Sequence, residues 1–386
     1  MPNLALHARQ KKPSLTRRAR HLADNARDRF LDAQSLVQAQ LTPFEVIHEQ
    51  DIVRLRYYPP LQEDSIRVNG EQVAVRPQPL PVPLVLVAPL AVNMLIYDLF
   101  PERSLVRYLR ARGFELYLID WGRPGRRHDS LHLSDYYAGM MPGLLEKVRQ
   151  HSGQRKLSLH GWSFGGLFSL CYTALGDPDI ENLALIGAPL DYHRNGALGR
   201  QYQFLSRQVR ALEKRTGLRV HRTSKRLWRS PGWMNSLMFK LTNPVGSMQG
   251  YVDLLKNLHN REYVKTHATQ GAFLDDMVAY PGGVVQDIIQ FLWVDNVLAH
   301  NRLPQLESKQ GFDGVKASLL LVTGRDDPIV TEQCSMPIMD LVSSEDKTHL
   351  RVPGGHVAIL GGSGAPQAIW PQVADWLEAR SVTLTL

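Results

Sequence analysis

The sequence predicts an α/β fold: a mostly parallel, doubly wound sheet with a helical cap inserted late in the chain. Three observations predict it. Apolar runs of strand length alternate with helical patterns from about residue 84 to 190, and again from about residue 318 onward. Residues 191–314 break that alternation and read as mainly helical. Between one strand pattern and the next helix pattern lies Gly161-Trp162-Ser163-Phe164-Gly165, a Gly-x-Ser-x-Gly motif in the strand, turn and helix context such a motif requires.

Taken in order, residues 1–40 form a basic, helix-prone arm with eight Lys/Arg against two Asp in its first thirty positions. It reads as a solvated arm or surface helix, or as a contact to an anionic surface or partner. Alternation over Glu45–Tyr58 and Ile66–Val75, with Asn69-Gly70 between two short runs, predicts antiparallel strands and a hairpin. Leu84–Ala88 is a continuous apolar run of the kind buried on both faces of a sheet, and Phe114–Asp120 is another buried strand, ending in Asp120-Trp121-Gly122. A helix is expected over Leu99–Arg112 and another from about Ser134 to Gln150. Further strands are expected at Asn182–Gly187, Ser318–Thr323 and Leu350–Val352. A final helix carries Ile369, Val373, Trp376 and Leu377. The core is therefore assigned to 41–190 and 315–386, and the cap to 191–314, over the carboxyl ends of the strands where binding surfaces sit.

The formal net charge of +8 is concentrated in two places: the arm, and residues 194–229, which hold eleven Lys/Arg against one Glu. The remainder is net acidic, so two local basic clusters need explaining rather than a basic protein. Two cysteines exclude a disulfide framework, and Cys171 and Cys334 read as core thiols of a cytoplasmic protein. The basic N-terminus lacks the apolar core of a signal peptide. Pro79–Tyr97 is uncharged, but Pro79, Pro81, Pro83 and Pro89 exclude a membrane-spanning helix there. No motif calls for a metal, a nucleotide cofactor or nucleic acid.

A nucleophilic serine needs a base and an acid that orients the base, which follow in the order Ser, Asp or Glu, His on this kind of sheet. Gly324-Arg325-Asp326-Asp327-Pro328 follows one late strand and Pro353-Gly354-Gly355-His356-Val357 follows the last. Ser163, Asp327 and His356 are the expected constellation, with Asp326 as the other candidate acid and Asp327 preferred for its place deeper in the turn. The oxyanion donors should be the N–H of Phe164, at the start of the new helix, and of Leu90 or Ala91 after the Leu84–Ala88 strand; Pro89 has no N–H to give. Trp162 is a candidate substrate-binding residue that could equally pack the sheet, and His160 reads as a packed strand residue rather than a second base.

The wider text resembles the poly(3-hydroxyalkanoate) synthase family, in particular its short class III catalytic subunits. The resemblance rests on Thr42-Pro43-Phe44-Glu45-Val46-Ile47, Arg103-Ser104-Leu105-Val106-Arg107-Tyr108-Leu109, Leu118-Ile119-Asp120-Trp121-Gly122, Phe168-Ser169-Leu170-Cys171-Tyr172, Gly250-Tyr251-Val252-Asp253-Leu254 and Gly355-His356-Val357. It spans roughly residues 40–380. It implies an α/β-hydrolase core with a helical cap, transfer of a 3-hydroxyacyl group from coenzyme A to an enzyme nucleophile and then to a growing polyester, a granule surface as a partner, and a homodimer or second subunit. The family's nucleophile maps onto Ser163, its acid onto Asp327 and its base onto His356. Those synthases carry cysteine at the nucleophile position and glutamine where Phe164 stands, and the Asn93–Asp98 spacing is one residue shorter here. A serine oxyester lies well downhill from a thioester and is readily hydrolysed once water enters. The expectation is thus a serine acyl-transfer enzyme. Hydrolysis of an ester, thioester or polyester is the alternative, and a non-catalytic granule-binding protein is a third reading.

Overall fold

The computed structural model describes residues 15–241, 244–304 and 311–382. Helix α1 (Leu15–Leu31) precedes the strands β1 (Glu45–Gln50), β2 (Val53–Tyr58), β3 (Ser65–Val68), β4 (Glu71–Ala74) and β5 (Leu84–Val87). The short strands β6 (Asp98–Phe100) and β7 (Arg103–Ser104) lead to α2 (Leu105–Ala111), β8 (Leu116–Asp120), α3 (Met141–Ser152), β9 (Leu157–Trp162), α4 (Phe164–Ala174) and β10 (Ile180–Ile186). The insertion carries α5 (Gly196–Thr216), α6 (Gly232–Leu241), α7 (Pro244–Lys256), α8 (Arg261–Asp275) and α9 (Gly282–Asp287). Strands β11 (Ser318–Gly324) and β12 (Lys347–Val352) and a last helix, Trp370–Val382, complete the core.

Eight strands form one sheet in the order β1-β2-β8-β5-β9-β10-β11-β12. The β1–β2 and β2–β8 pairs are antiparallel and the others parallel. Every residue of β5, β8 and β9 is buried, which explains the unbroken apolar run of β5 and the mainly apolar β8: helices cover both faces. The chain leaves β5 toward β8 on one side and returns to β9 on the other. The strand order therefore reverses between β5 and β9, and a crevice opens beyond their carboxyl ends.

Two local expectations shift. The helix predicted over Leu99–Arg112 begins only at Leu105: Pro101 interrupts it, Asp98–Phe100 pairs with Arg103–Ser104, and the Ser104 hydroxyl caps the helix by accepting from the Arg107 N–H at 3.2 Å. The basic arm is not free along its described part. Asn25 is buried and donates to the Leu258 carbonyl at 2.7 Å, Arg261 reaches Asp28 at 2.7 Å, and Leu36 joins a small apolar cluster with Leu254, Leu258, Val264 and Ala268. Residues 1–14 of that arm lie outside the described residues. The Asn69-Gly70 turn forms as expected, with both residues at positive φ (+50° and +89°), as a two-residue hairpin requires.

What seats α4 on the sheet is the absence of side chains. A Cβ at Gly165 would lie 1.9 Å from the Val87 carbonyl oxygen, one at Gly161 2.4 Å from the Gly165 oxygen, and one at Gly166 2.7 Å from the Ala188 Cβ. Gly165→Ala should therefore lower unfolding free energy by about 3 kcal/mol or more in urea titration, because backbone must move to admit the methyl. Gly143→Ala, on the exposed side of α3 with nothing within 4 Å of the new methyl, should raise it by about 1 kcal/mol. A Gly165→Ala protein with an unchanged midpoint would contradict this packing.

Candidate active site

Ser163 stands at the junction of β9 and α4 with φ +55° and ψ −123°, a backbone geometry that costs on the order of 1–3 kcal/mol for a non-glycine residue. The surrounding ladder holds it there: its N–H donates to the Ile186 carbonyl at 2.9 Å and its own carbonyl accepts from Leu167 at 3.1 Å. The turn lifts the side chain out of the sheet, leaving Ser163 partly exposed among buried neighbours.

His356 and Asp327 arrive from the ends of β12 and β11. His356 Nε2 lies 2.9 Å from Ser163 Oγ, and His356 Nδ1 lies 2.7 Å from Asp327 Oδ2. An ionised carboxylate only accepts, so the imidazole proton belongs on Nδ1 and the Nε2 lone pair faces the serine hydroxyl. Asp327 is buried, and its other oxygen accepts the N–H groups of Ile329 and Val330, both at 2.9 Å. One carboxylate thus closes its own turn and orients the histidine. Asp326, the other candidate, is exposed, and its backbone N–H donates to Gly354 at 3.2 Å, pinning the histidine loop instead. Gly187 leaves room for the ring: a Cβ there would come within 3.4 Å of His356 Cε1.

The two oxyanion candidates flank the same crevice. Phe164 opens α4, where the first N–H groups have no intrahelical partner. Leu90 and Ala91 form the turn after β5, and Ala91 sits at φ +63°. Contacts that the sequence does not announce fix that turn. The Trp121 indole donates to the Ala88 carbonyl at 2.7 Å, the Val278 N–H donates to Ala91 O at 3.0 Å, and the Asn93 amide donates to Phe273 O and Asp276 O at 3.1 and 3.0 Å. These partners are remote in sequence, so no local pattern reveals them. A cleft of about 610 Å³ lies beside this loop, lined by Val92, Asn93, Arg54, Arg56 and Arg123 but not by Ser163. Side-chain chemistry, not volume, marks the site.

Trp162 is only 2% exposed. Its indole N–H donates to the His356 carbonyl at 3.1 Å and its ring faces the imidazole at 5.5 Å, so it braces the histidine loop from behind rather than presenting a face to a ligand. His160 is buried between Leu86 and Ala184, its Nδ1 has no hydrogen-bond partner among the described residues, and burial holds its pKa down to about 4. Both cysteines are buried, and burial pushes the Cys334 thiol up to about 12. The Ser163 side chain and its two hydrogen-bonded partners are therefore the candidate reactive set at this end of the sheet.

The model of the alpha/beta hydrolase fold family matches residues 93–363. The chain belongs to that family. It is also similar to the poly(3-hydroxyalkanoate) polymerase subunit PhaC of Haloferax mediterranei, at 29% identity over 91% of this chain and 67% of that one. The subunit PhaC of Allochromatium vinosum is 26% identical over 79% of this chain and 82% of its own length. A soluble variant of the monoglyceride lipase of Saccharomyces cerevisiae, solved with a substrate analog, superimposes with a TM-score of 0.50 at 15% identity, covering 89% of this chain and 96% of that one. The lipase likeness is one of fold. No helix among the described residues is long and apolar enough to cross a membrane.

Because His160 is neutral in the folded protein and titrates near its ordinary 6.5 when unfolded, the unfolded chain binds the extra proton between about pH 6.5 and 4. Stability should fall as pH drops through that window, by about 3 kcal/mol from this residue. His160→Leu should flatten the loss in urea titrations at pH 7, 5.5 and 4.5; an equally steep loss in the variant would contradict the assignment.

Proposed function

We propose that this protein is a serine-nucleophile acyl-transfer enzyme of poly(3-hydroxyalkanoate) synthase type, which forms an acyl-Ser163 intermediate from a (hydroxy)acyl-CoA or ester. The observation that carries the reading is the unbroken relay of 2.9 and 2.7 Å from Ser163 through His356 to Asp327 at the crevice of the sheet. His356 Nε2 takes the hydroxyl proton as Ser163 Oγ attacks the acyl carbonyl, and Asp327 stabilises the imidazolium on its Nδ1 side. The N–H groups of Phe164 and the Leu90–Ala91 turn hold the oxyanion. His356 then returns the proton to the leaving thiolate or alcohol.

The likeness to polymerase subunits supports a hydroxyacyl donor and a hydroxyl-ended acceptor. The basic stretch 194–229 suits the phosphates of coenzyme A: Arg210, Lys214, Arg219 and Arg222 line one surface cleft with Glu213. A polyester granule surface and a homodimer or second subunit belong to the same reading. The nucleophile's oxygen favours hydrolysis as the second reading, since an oxyester is a poor donor to a further alcohol once water competes.

Purified protein given 3-hydroxybutyryl-CoA, with both free acid and polymer quantified, separates the two: polymer as the main product is expected for transfer, free acid for hydrolysis. Ser163→Ala should lose labelling by a serine-directed phosphonate by at least about a thousandfold; undiminished labelling would refute the nucleophile. Ser163→Cys should gain polymer relative to free acid if a thioester-bound intermediate is what allows acyl exchange.

A further inference from the structure

Away from the serine, three side chains with no part in that chemistry converge where the cap meets the core. His132 lies in the segment between β8 and α3, His221 in the turn between α5 and α6, and Asp287 ends α9. His132 Nδ1 lies 2.9 Å and His221 Nε2 2.8 Å from the same carboxylate oxygen, Asp287 Oδ1. The other oxygen accepts the Leu133 N–H at 2.8 Å. All three ligand atoms lie within 4.8 Å of one another. The Asp287 side chain is fully buried, while the histidines keep 17% and 23% of their side-chain surface in contact with solvent.

We propose that His132, His221 and Asp287 bind a divalent transition metal, best suited to Zn2+, that clamps the cap to the core. Two imidazoles and one carboxylate form a donor set that takes zinc with water in the fourth position. The two nitrogen to oxygen separations are shorter by about half an ångström than the edges of a tetrahedron built on bonds of about 2.0–2.1 Å, so the side chains must rotate apart there to admit the ion. Each imidazole then binds through the nitrogen that now faces the carboxylate, and its proton moves to the other ring nitrogen; no net proton is released. The ion would tie together segments 155 and 66 residues apart, on a chain where such closures constrain the unfolded state most.

Sequence reading named no metal because these ligands share no short motif. The full chain, stripped with EDTA, should bind about one equivalent of Zn2+ in isothermal titration. Its melting temperature should rise by about 3 °C at a hundredfold excess over Kd. Co2+ in place of Zn2+ should give the intense visible absorption of a four-coordinate site. His221→Gln and His132→Gln, each at a partly exposed position, should weaken Zn2+ binding at least tenfold with the fold intact by circular dichroism; Asp287→Asn is the harsher variant because it alters a buried contact. Absence of saturable binding at micromolar Zn2+ would overturn the proposal, and so would binding equal in the wild type and in both histidine variants. None of these readouts depends on Ser163, so the clamp and the acyl-transfer reading stand or fall separately.

Discussion

The contact on which the rest of the site depends is backbone against backbone: the first turn of α4, at Gly165, lies on the carbonyl of Val87 with no room for even one methyl between them. Two loops leave the sheet there in opposite directions, one after β5 and one after β9, where strand order reverses. Because the helix start and the strand end touch directly, the serine at φ +55° and the turn at Leu90–Ala91 face one space. A side chain at position 165 would separate them, and Ser163 would lose the neighbouring N–H groups before any atom of Ser163, Asp327 or His356 changed. Close-packed interiors transmit such a change because they do not deform gradually.

Around that contact, three polar side chains act as braces, each donating to backbone carbonyls. Trp121 holds Ala88 at the entry to the turn after β5, Trp162 holds His356, and Asn93 ties the same turn to Phe273 and Asp276 of the insertion. A neutral hydrogen bond contributes only about 1 kcal/mol to stability. Its weight here is positional. The histidine must stay near 2.9 Å from an oxygen on one loop and 2.7 Å from a carboxylate on another, and the indole behind it restricts the loop without adding a competing donor to the ring nitrogens. Two tryptophans at the ends of the strands on either side of β5, each buried with its N–H satisfied, hold two loops.

The elbow glycines, the serine and the slots of Asp327 and His356 were legible in the sequence because each is imposed locally. A turn that tight admits only glycine beside it, and strand-end loops reveal themselves by an apolar run stopping. Asp327 was preferred to Asp326 for its depth in the turn, and in the structure the buried Asp327 carboxylate meets the histidine while the exposed Asp326 gives its N–H to the histidine loop. Trp162 was open between contacting a ligand and packing the sheet, because a place next to Ser163 at a strand end allows either. What buries it is His356, whose carbonyl accepts the indole N–H from 194 residues away. The same distance hid Asn93, Trp121 and the His132, His221 and Asp287 cluster. The helix expected at Leu99 failed for a local reason, since helical spacing in Ser104, Leu105, Tyr108 and Leu109 was extended backward across Pro101.

The insertion is more than a lid laid over a finished site. Val278 donates to Ala91 and Tyr280 packs edge-on against Phe164 at 6.3 Å, so the cap touches both oxyanion candidates, one through a hydrogen bond and one through a ring. The described part of the N-terminal segment in turn packs on the cap through Asn25 and Leu36. On the proposed function, entry of an acyl acceptor would therefore not vary independently of the geometry at the two oxyanion candidates: a cap raised to admit water would also loosen the Ala91 turn. That coupling bears directly on an oxygen nucleophile. On the proposed function an acyl-Ser163 would survive only as long as water is kept out, and the contacts that keep the cap down are the ones that shape the candidate donors, so exclusion of water and stabilisation of the charged intermediate would rise and fall together.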